Sequence, residues 1–417
     1  MKKLLLILFL PIQMVFGQNE ISLDECYEWA RENYPNLKQA EIWREISTLN
    51  QENIKTNFLP QVTLNAQATY QSDVPGIDIP IPNVSIPSVS KDQYKAYAEF
   101  KQTIWDGGIS NMNAKLENAI LKNHLSQVEV EAYKLNEQVS QAFFTALVVQ
   151  QKVAVLIAQK KVLIEKLKFI ESGIKNGVIE PSAALIIKAE ILNLEQNEIQ
   201  LDAGKNSAVQ MLSLLTGKLI TQESNLVYNK SVIETNLKIN RPEFMLFSKQ
   251  SGQLNTQIEL LDKVRNPKLF GFGQAGFGKP GLNMLNDEFD AYYLVGVGVS
   301  WNAFDWKNTE RKKQVIKLQQ QMINTQEETF TQNIHILLSQ QKEQIKKLEK
   351  LLENDQQMIS FRTDITKVAA SKLENEIITS SDYIQELQAE TVAKLNFEIH
   401  KIQLNEAVEK NKLIKGR

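Results

Sequence analysis

The residues that could carry out catalysis or hold a metal are few and scattered. The three histidines of the 417-residue chain lie far apart: His124, His335 and His400. Metal sites need ligands at short spacings, and Cys26 has no base partner in any recognisable catalytic motif. Two Gly-x-Gly sequences, at 271–273 and 296–298, lie inside alternating strand patterns, where glycine marks close packing. The sequence therefore predicts no enzyme activity, no metal site and no cofactor.

Aromatic side chains cluster where predicted strands meet predicted helices, at Trp105, Trp301, Phe304 and Trp306. Tryptophan prefers the headgroup level of a bilayer, so such a group suits the aromatic belt of a membrane-embedded sheet. Core packing at a domain boundary is the alternative. The adjacent strand patterns favour the belt.

A long proline-free stretch follows the first of these aromatic residues, at 109–176. From Leu121 to Ile170 its apolar residues recur at alternating spacings of four and three, and Lys160 is the one polar residue on this seam. A sustained 3.5-residue repeat predicts a helix that supercoils with partner helices, and at 1.5 Å per residue it would be about 100 Å long. Asp106 and Asp305 are the expected N-caps of this helix and of its counterpart in the second half.

The amino terminus has the features of a secretory signal. Lys2 and Lys3 precede an apolar run at 4–16, and cleavage is expected after Gly17. Loss of the two lysines changes the net charge from −2 to −4, which leaves no basic footprint for nucleic acid. No later run of eighteen uncharged apolar residues occurs, so a membrane segment would have to be a β-barrel.

The mature chain reads as two similar halves. Pro60 corresponds to Pro267 at an offset of 207, and Trp105 corresponds to Phe304 at an offset of 199. The difference falls between two predicted strands, where loops tolerate length changes. The predicted division is a signal peptide at 1–17; repeat 1 at 18–222 with a β-hairpin at 62–105, a long helix at 106–176 and a return helix at 181–216; and repeat 2 at 223–417 with a β-hairpin at 269–304, a long helix at 305–375 and a return helix at 381–413.

Strict alternation from Tyr293 to Trp301 predicts a strand. In the preceding strand the phase stays open, because Phe270 and Phe272 have the opposite parity from Phe277. Two hairpins give four strands, whereas a membrane barrel needs about eight. The hairpins therefore pair with other copies of the chain or lie outside a membrane.

Four segments resemble those of TolC-type outer-membrane efflux proteins, the outer membrane factors: Leu-Asp-Glu-Cys-Tyr-Glu-Trp-Ala from Leu23, Phe-Leu-Pro-Gln from Phe58, Ile-Trp-Asp-Gly-Gly-Ile from Ile104, and Asn-Gly-Val-Ile-Glu-Pro-Ser-Ala-Ala-Leu from Asn176. The resemblance covers essentially the whole mature chain. It implies a mainly α fold with β, in which a homotrimer builds a twelve-stranded transmembrane β-barrel and a long α-helical coiled-coil tunnel in the periplasm. The implied function is a passive exit duct for tripartite efflux or type I secretion, opened by a periplasmic adaptor and an inner-membrane transporter.

The same resemblance implies two functional regions at the helix tips. The residues implied in adaptor docking are Gly177, Val178, Ile179, Ser182, Ile377 and Ile378. The residues implied in the periplasmic aperture are Ser381, Asp382 and Gln385. A ring of three Asp382 carboxylates would attract cations, although Gln385 stands where some family members have a second acidic residue.

The residues leave structural alternatives open at these tips. Asp382 could cap the last helix instead of gating, and Val178 and Ile179 could pack on Leu185. The second half also departs from the family pattern, with Glu376 at a turn that usually has glycine and with Asp-Trp-Lys at 305–307 in place of Asp-Gly-Gly.

Two other protein classes share some of these features. A periplasmic adaptor has long helical hairpins, but normally one per chain. An exported coiled-coil scaffold would not need a strand with Val295, Val297 and Val299 on one face. The duplicated helix and hairpin pattern favours the duct over both.

Overall fold

The computed structural model describes residues 20–75, 89–228 and 238–416, so the predicted signal peptide lies outside the described residues. The elements in chain order are β1 (Glu20–Ser22), α1 (Leu23–Asn33), a 3₁₀ turn (Pro35–Lys38), α2 (Gln39–Thr56), β2 (Gln61–Tyr70), β3 (Asp92–Trp105), α3 (Ile109–Lys175), α4 (Pro181–Thr216), β4 (Asn225–Val227), α5 (Pro242–Val264), β5 (Lys268–Lys279), β6 (Asp290–Ser300), α6 (Asn308–Glu374) and α7 (Ser380–Lys415).

Four long helices dominate the chain. α3 and α6 have 67 residues each, and α4 and α7 have 36 residues each. α3 begins at Ile109 and α6 at Asn308, and the ends of both helix pairs keep the same offset of 199 residues. The predicted fold class, mainly α with β and with an internal repeat, is confirmed.

The boundaries of some elements differ from the prediction. The long helices begin at Ile109 and Asn308, three residues after the predicted 106 and 305. The residue pairs before them, 107–108 and 306–307, have positive φ, a conformation that a right-handed helix of L-residues does not contain. The second hairpin ends at Ser300 rather than at 304.

Contacts group the chain into two compact units that do not coincide with the repeats. The helical unit comprises Met1–Lys38, Val128–Pro242 and Thr329–Arg417, and the sheet unit comprises Gln39–Gln127 and Glu243–Glu328. Each unit therefore takes residues from both predicted repeats.

The helical unit has a core built on the seam predicted in α3. The buried seam residues are Ala132, Leu135, Val139, Ala142, Ala146, Leu156, Leu163 and Ile170. Four of these, from Leu135 to Ala146, form a first cluster with Phe143, Phe144 and residues of α1 and α4. The last three join residues of α4, α6 and α7 in a second cluster around Ile187 and Leu387.

Lys160, the polar residue of the seam, finds acidic partners in this unit. Its Nζ lies 3.0 Å from a carboxylate oxygen of Glu195 and 3.5 Å from one of Glu198, both on α4. A paired charge at a seam position favours one register between two helices over its neighbours. Lys160 thus fits the coiled-coil prediction rather than breaking it.

Among the described residues, α3 alone has an 18-residue window long and apolar enough to cross a membrane by length and composition, with a mean hydropathy of 1.5 and 33% of the window buried. The core helix of a protein outside a membrane meets the same two criteria. Phe143 and Phe144 of this helix are buried in the first cluster, so packing accounts for part of its apolar character.

The sheet unit contains one four-stranded antiparallel sheet in the order β2-β3-β5-β6. Its register pairs Val62 with Phe100, Phe100 with Gly273, and Gly273 with Val295. Because side chains alternate between the faces of a strand, this register decides which residues share a face. The two outer strands, β2 and β6, have no strand partner on their outer side within the described residues.

One face of the sheet, the apolar face, carries Val62, Leu64, Ala66, Ala68, Tyr94, Ala96, Ala98, Phe100, Ala275, Phe277, Tyr293, Val295, Val297 and Val299. The other, the polar face, carries Gln61, Thr63, Asn65, Gln67, Lys95, Tyr97, Glu99, Lys101, Gln274, Phe270 and Phe272. Phe277 therefore follows the apolar face, and Phe270 and Phe272 are the residues on the opposite side.

Candidate functional site

Both helical tips end in the same left-handed turn. Gly177 has φ 74° and Glu376 has φ 58°, and the residue after each donates its backbone N–H back into the helix: Val178 to the carbonyl of Gly173 at 3.0 Å, and Ile377 to that of Lys372 at 2.8 Å. This is the hydrogen-bond pattern of a Schellman C-cap, whose left-handed residue is normally glycine. Glu376 adopts this left-handed conformation although it is not glycine, and the conformation is strained for an L-residue.

The apolar tip residues divide into exposed and packed ones. Val178 is 60% exposed and Ile377 is 68% exposed, whereas Ile179 and Ile378 pack against the second cluster. Ile179 lies directly over Gly173. Leu185, the alternative packing partner, is 67% exposed.

The first turn of α7 is capped by its own side chains. Thr379 is the N-cap, and its N–H and hydroxyl donate to Asp382 Oδ2 at 3.0 and 2.7 Å, while the Asp382 N–H donates to the Thr379 hydroxyl at 3.2 Å. Hydrogen bonds from the Thr379 side chain and backbone hold the pKa of Asp382 below its ordinary value. In the first half, Glu180 occupies the N-cap without such a bond and accepts one from Ser182 at 3.2 Å instead.

Asp382 and Gln385 also line a groove between α6 and α7 with a volume of about 480 Å³. Two further acidic residues, Asp364 and Glu386, and one cation, Lys372, line the same groove. Glu386 is paired with Arg362 at 3.1 Å and Asp364 lies 3.7 Å from Lys367, so these cations together with Lys372 balance the three carboxylates. Ser381 lies on the exposed side of the same turn. Sequence reasoning missed Asp364 and Glu386, although Glu386 follows Asp382 at the i+4 spacing that places two residues on one helix face.

The aromatic residues beside the sheet are exposed. Trp105 is 48% exposed, Trp301 63%, Phe304 68% and Trp306 77%. The Trp301 indole N–H donates to the Arg265 carbonyl at 3.0 Å, and the rings of Phe304 and Trp306 meet edge to face at 4.8 Å. Their exposure speaks against the core-packing alternative.

Two aspartates shape the turns that lead from the sheet into the long helices. Asp106 accepts N–H donors from Gly108 at 2.9 Å and Ser110 at 2.6 Å, and Asp305 accepts the N–H of Thr309 at 2.9 Å. Both carboxylates thus satisfy first-turn donors, as a helix cap does. In the second half Trp306 and Lys307 have φ 55° and 59° where the first half has two glycines.

The histidines do not converge. His124 stacks on Trp43 with centroids 3.5 Å apart, His400 Nδ1 lies 2.6 Å from Asp355 Oδ2, and His335 is exposed. Within the described part of the chain, no cluster of three or more His, Cys, Asp or Glu could hold a metal ion.

The chain is similar to known outer-membrane proteins in part of its sequence and in its fold. Residues 26–218 match the family model described as outer membrane efflux protein. Among solved structures, the outer membrane protein VceC from Vibrio cholerae is 12% identical at a TM-score of 0.65, covering 94% of this chain and 96% of that chain. The CmeC outer membrane channel from Campylobacter jejuni is 14% identical at 0.64, covering 94% and 84%. The open-state MtrE outer membrane channel from Neisseria gonorrhoeae is 13% identical at 0.63, covering 94% and 89%. No curated protein matches the sequence.

At these identities the solved structures establish the fold, and the family model supplies the sequence relationship. The matched segment contains the motifs at Phe58, Ile104 and Asn176, and the second half repeats the same helices at a constant offset. Residues 26–218 therefore match the family model of outer membrane efflux proteins, and the chain as a whole has the fold of outer-membrane channels, in agreement with the predicted resemblance.

Proposed function

We propose that the chain is the outer-membrane exit duct of a tripartite efflux or type I secretion system, a passive conduit without chemistry of its own. The single observation that carries the proposal is the sheet. It has an uncharged apolar central face and a polar face, and within the described residues its edge strands β2 and β6 have no strand partner on their outer sides. Such a sheet is stable in a bilayer only when the apolar side meets lipid and both edges are closed.

The geometry of the sheet unit supports closure by further copies of the same chain. α2 leads into the edge strand β2 and has exposed apolar residues at helical spacing, namely Ile42, Ile46 and Leu49. α6 follows the other edge strand, β6, and exposes Val315, Leu318 and Met322 in the same way.

Two different surfaces that complement each other make a head-to-tail contact, which closes into a ring when the rotation permits. We infer a homotrimer, because three copies of a four-stranded sheet supply twelve strands, a number within the range of membrane barrels. Trp105, on the apolar face by its pairing with Leu269, then lies with Trp301, Phe304 and Trp306 in an aromatic belt.

The helical tips are the proposed contact with a periplasmic adaptor, and through it with an inner-membrane transporter. Val178 and Ile377 expose apolar side chains on an otherwise polar turn, which is the type of surface that marks a protein contact. The other residues proposed for the adaptor contact lie at these two turns, namely Gly177, Ile179, Ser182 and Ile378. Asp382, Ser381 and Gln385 are the proposed aperture residues.

The proposal is tested by fractionating the cell envelope and running the protein unheated in mild detergent. Enrichment in the outer membrane with a trimer-sized band supports the duct. Release of the protein by a salt wash would exclude it, and would favour a periplasmic adaptor or a coiled-coil scaffold.

A further inference from the structure

The charged residues in the middle of the polar face all lie on β3. Lys95, Glu99 and Lys101 alternate with the apolar-face residues of that strand, so two cations accompany one anion. The charges at the strand ends on this face, Lys268 and Asp290, offset each other. Each chain thus brings one excess positive charge to the polar face of the described strands.

Lys101 is held in a defined position. Its Nζ lies 4.8 Å from the centroid of the Phe270 ring, a favourable cation–π geometry, and Phe272 lies opposite it across the β3–β5 pair. The centroids of the two phenyl rings are 6.0 Å apart.

The rings themselves are fixed by glycines of the neighbouring strand. A Cβ at Gly298 would lie 2.6 Å from Cζ of Phe270, and a Cβ at Gly296 would lie 2.8 Å from Cζ of Phe272. Aromatic side chains that cover strand glycines in this way are packed against backbone. The ammonium group of Lys101 therefore lies above a rigid aromatic surface on the polar face.

We propose that the polar face makes the sheet section of the duct prefer anions, and that Lys101 is the residue that sets this preference. The inference rests on the proposed function, because only a closed barrel turns the polar face toward a water-filled lumen. Three copies would bring six lysines and three glutamates from β3 into that lumen. The solutes favoured there carry a carboxylate or phosphate group.

The test is the chloride-to-potassium permeability ratio of the purified full-length protein in a planar lipid bilayer, taken from the reversal potential in a potassium chloride gradient. A unit charge about 10 Å from an ion in water changes the local ion concentration about twofold. Lys101→Gln should therefore lower the ratio about twofold or more, and Lys101→Arg should keep it. Glu99→Gln, two residues away on the same face, should raise it.

Three outcomes are distinguishable. Opposite shifts for Lys101→Gln and Glu99→Gln, which shrink at about 1 M salt where charges are screened, support the inference. Unchanged ratios in channels that still conduct would overturn the inference and leave the duct standing. Failure of the wild-type protein to insert into the membrane as an oligomer would overturn the proposed function, and this inference with it.

Discussion

A lysine on the apolar face of the sheet tests whether that face meets lipid. Leu64 on β2 is 81% exposed and pairs with Ala98, and its neighbour Thr63 points to the polar face and pairs with Glu99. Leu64→Lys and Thr63→Lys thus add the same charge one residue apart on the same edge strand, on opposite faces.

The two substitutions should differ by several kcal/mol. A lysine that faces lipid near the bilayer centre costs about 2–4 kcal/mol. A trimer incurs this cost three times, about 6–12 kcal/mol in all, which is comparable with the whole stability of a typical domain. Thr63→Lys places its charge toward the lumen, where a surface substitution changes stability by about 0.5 kcal/mol or less.

The assay is refolding into phospholipid vesicles over a urea series, read as the fraction of heat-sensitive oligomer on a gel. Leu64→Lys should lose assembly at a much lower urea concentration than wild type, and Thr63→Lys should behave almost as wild type. If both variants assemble equally well, or if Thr63→Lys is the more damaging, the assignment of the apolar face to lipid is wrong.

Four further predictions concern the helical unit. Glu376→Gly should raise the free energy of unfolding by about 1 kcal/mol, since it removes a left-handed L-residue. Gly177→Ala should lower the free energy of unfolding by a similar amount. If chemical denaturation shows that Glu376→Gly lowers the free energy of unfolding, Glu376 is not strained. Burial raises the pKa of the Cys26 thiol to about 12, so in folded protein Cys26 should react with a maleimide far more slowly than in urea, and equal rates would refute its burial. Hydrogen bonds from Thr379 lower the pKa of Asp382 in the folded protein. The stabilisation that Asp382 contributes as a cap is therefore complete above its unfolded pKa and is lost as the pH falls through the lowered folded pKa. Hydrogen exchange in the first turn of α7, measured over a pH series, should show this loss in wild type and not in Asp382→Ala. In single-channel recordings, Asp382→Ala should also show larger conductance or weaker cation block, and identical traces would remove Asp382 from the aperture.

The helices and their repeat could be predicted closely because their signal is local and periodic. The seam of α3 appears in the sequence as apolar residues at spacings of three and four, and the buried residues from Ala132 to Ile170 follow it. The structure adds the partners of Lys160, which lie on α4 and are distant in the chain. No local pattern contains that pairing.

The sheet was harder to predict because its faces depend on register between strands. β5 has phenylalanines at both parities, and only its pairing with β3 and β6 shows that Phe277 belongs to the apolar face while Phe270 and Phe272 cover glycines on the polar one. The groove beside Asp382 had the same difficulty, because Asp364 and Glu386 come together across two helices. Positive φ occurs at Trp306, Lys307 and Glu376, which correspond in the repeat to glycines of the first half. The repeat therefore indicates these turns, although the residue types do not.

The central claim is that several copies of this chain close one barrel through the free edges β2 and β6. Native mass spectrometry of the detergent-solubilised protein measures the number of copies directly. We expect the mass of three processed chains, and loss of that species when Leu64→Lys is present. A single-chain mass for wild-type protein that remains folded and membrane-extracted would contradict the account.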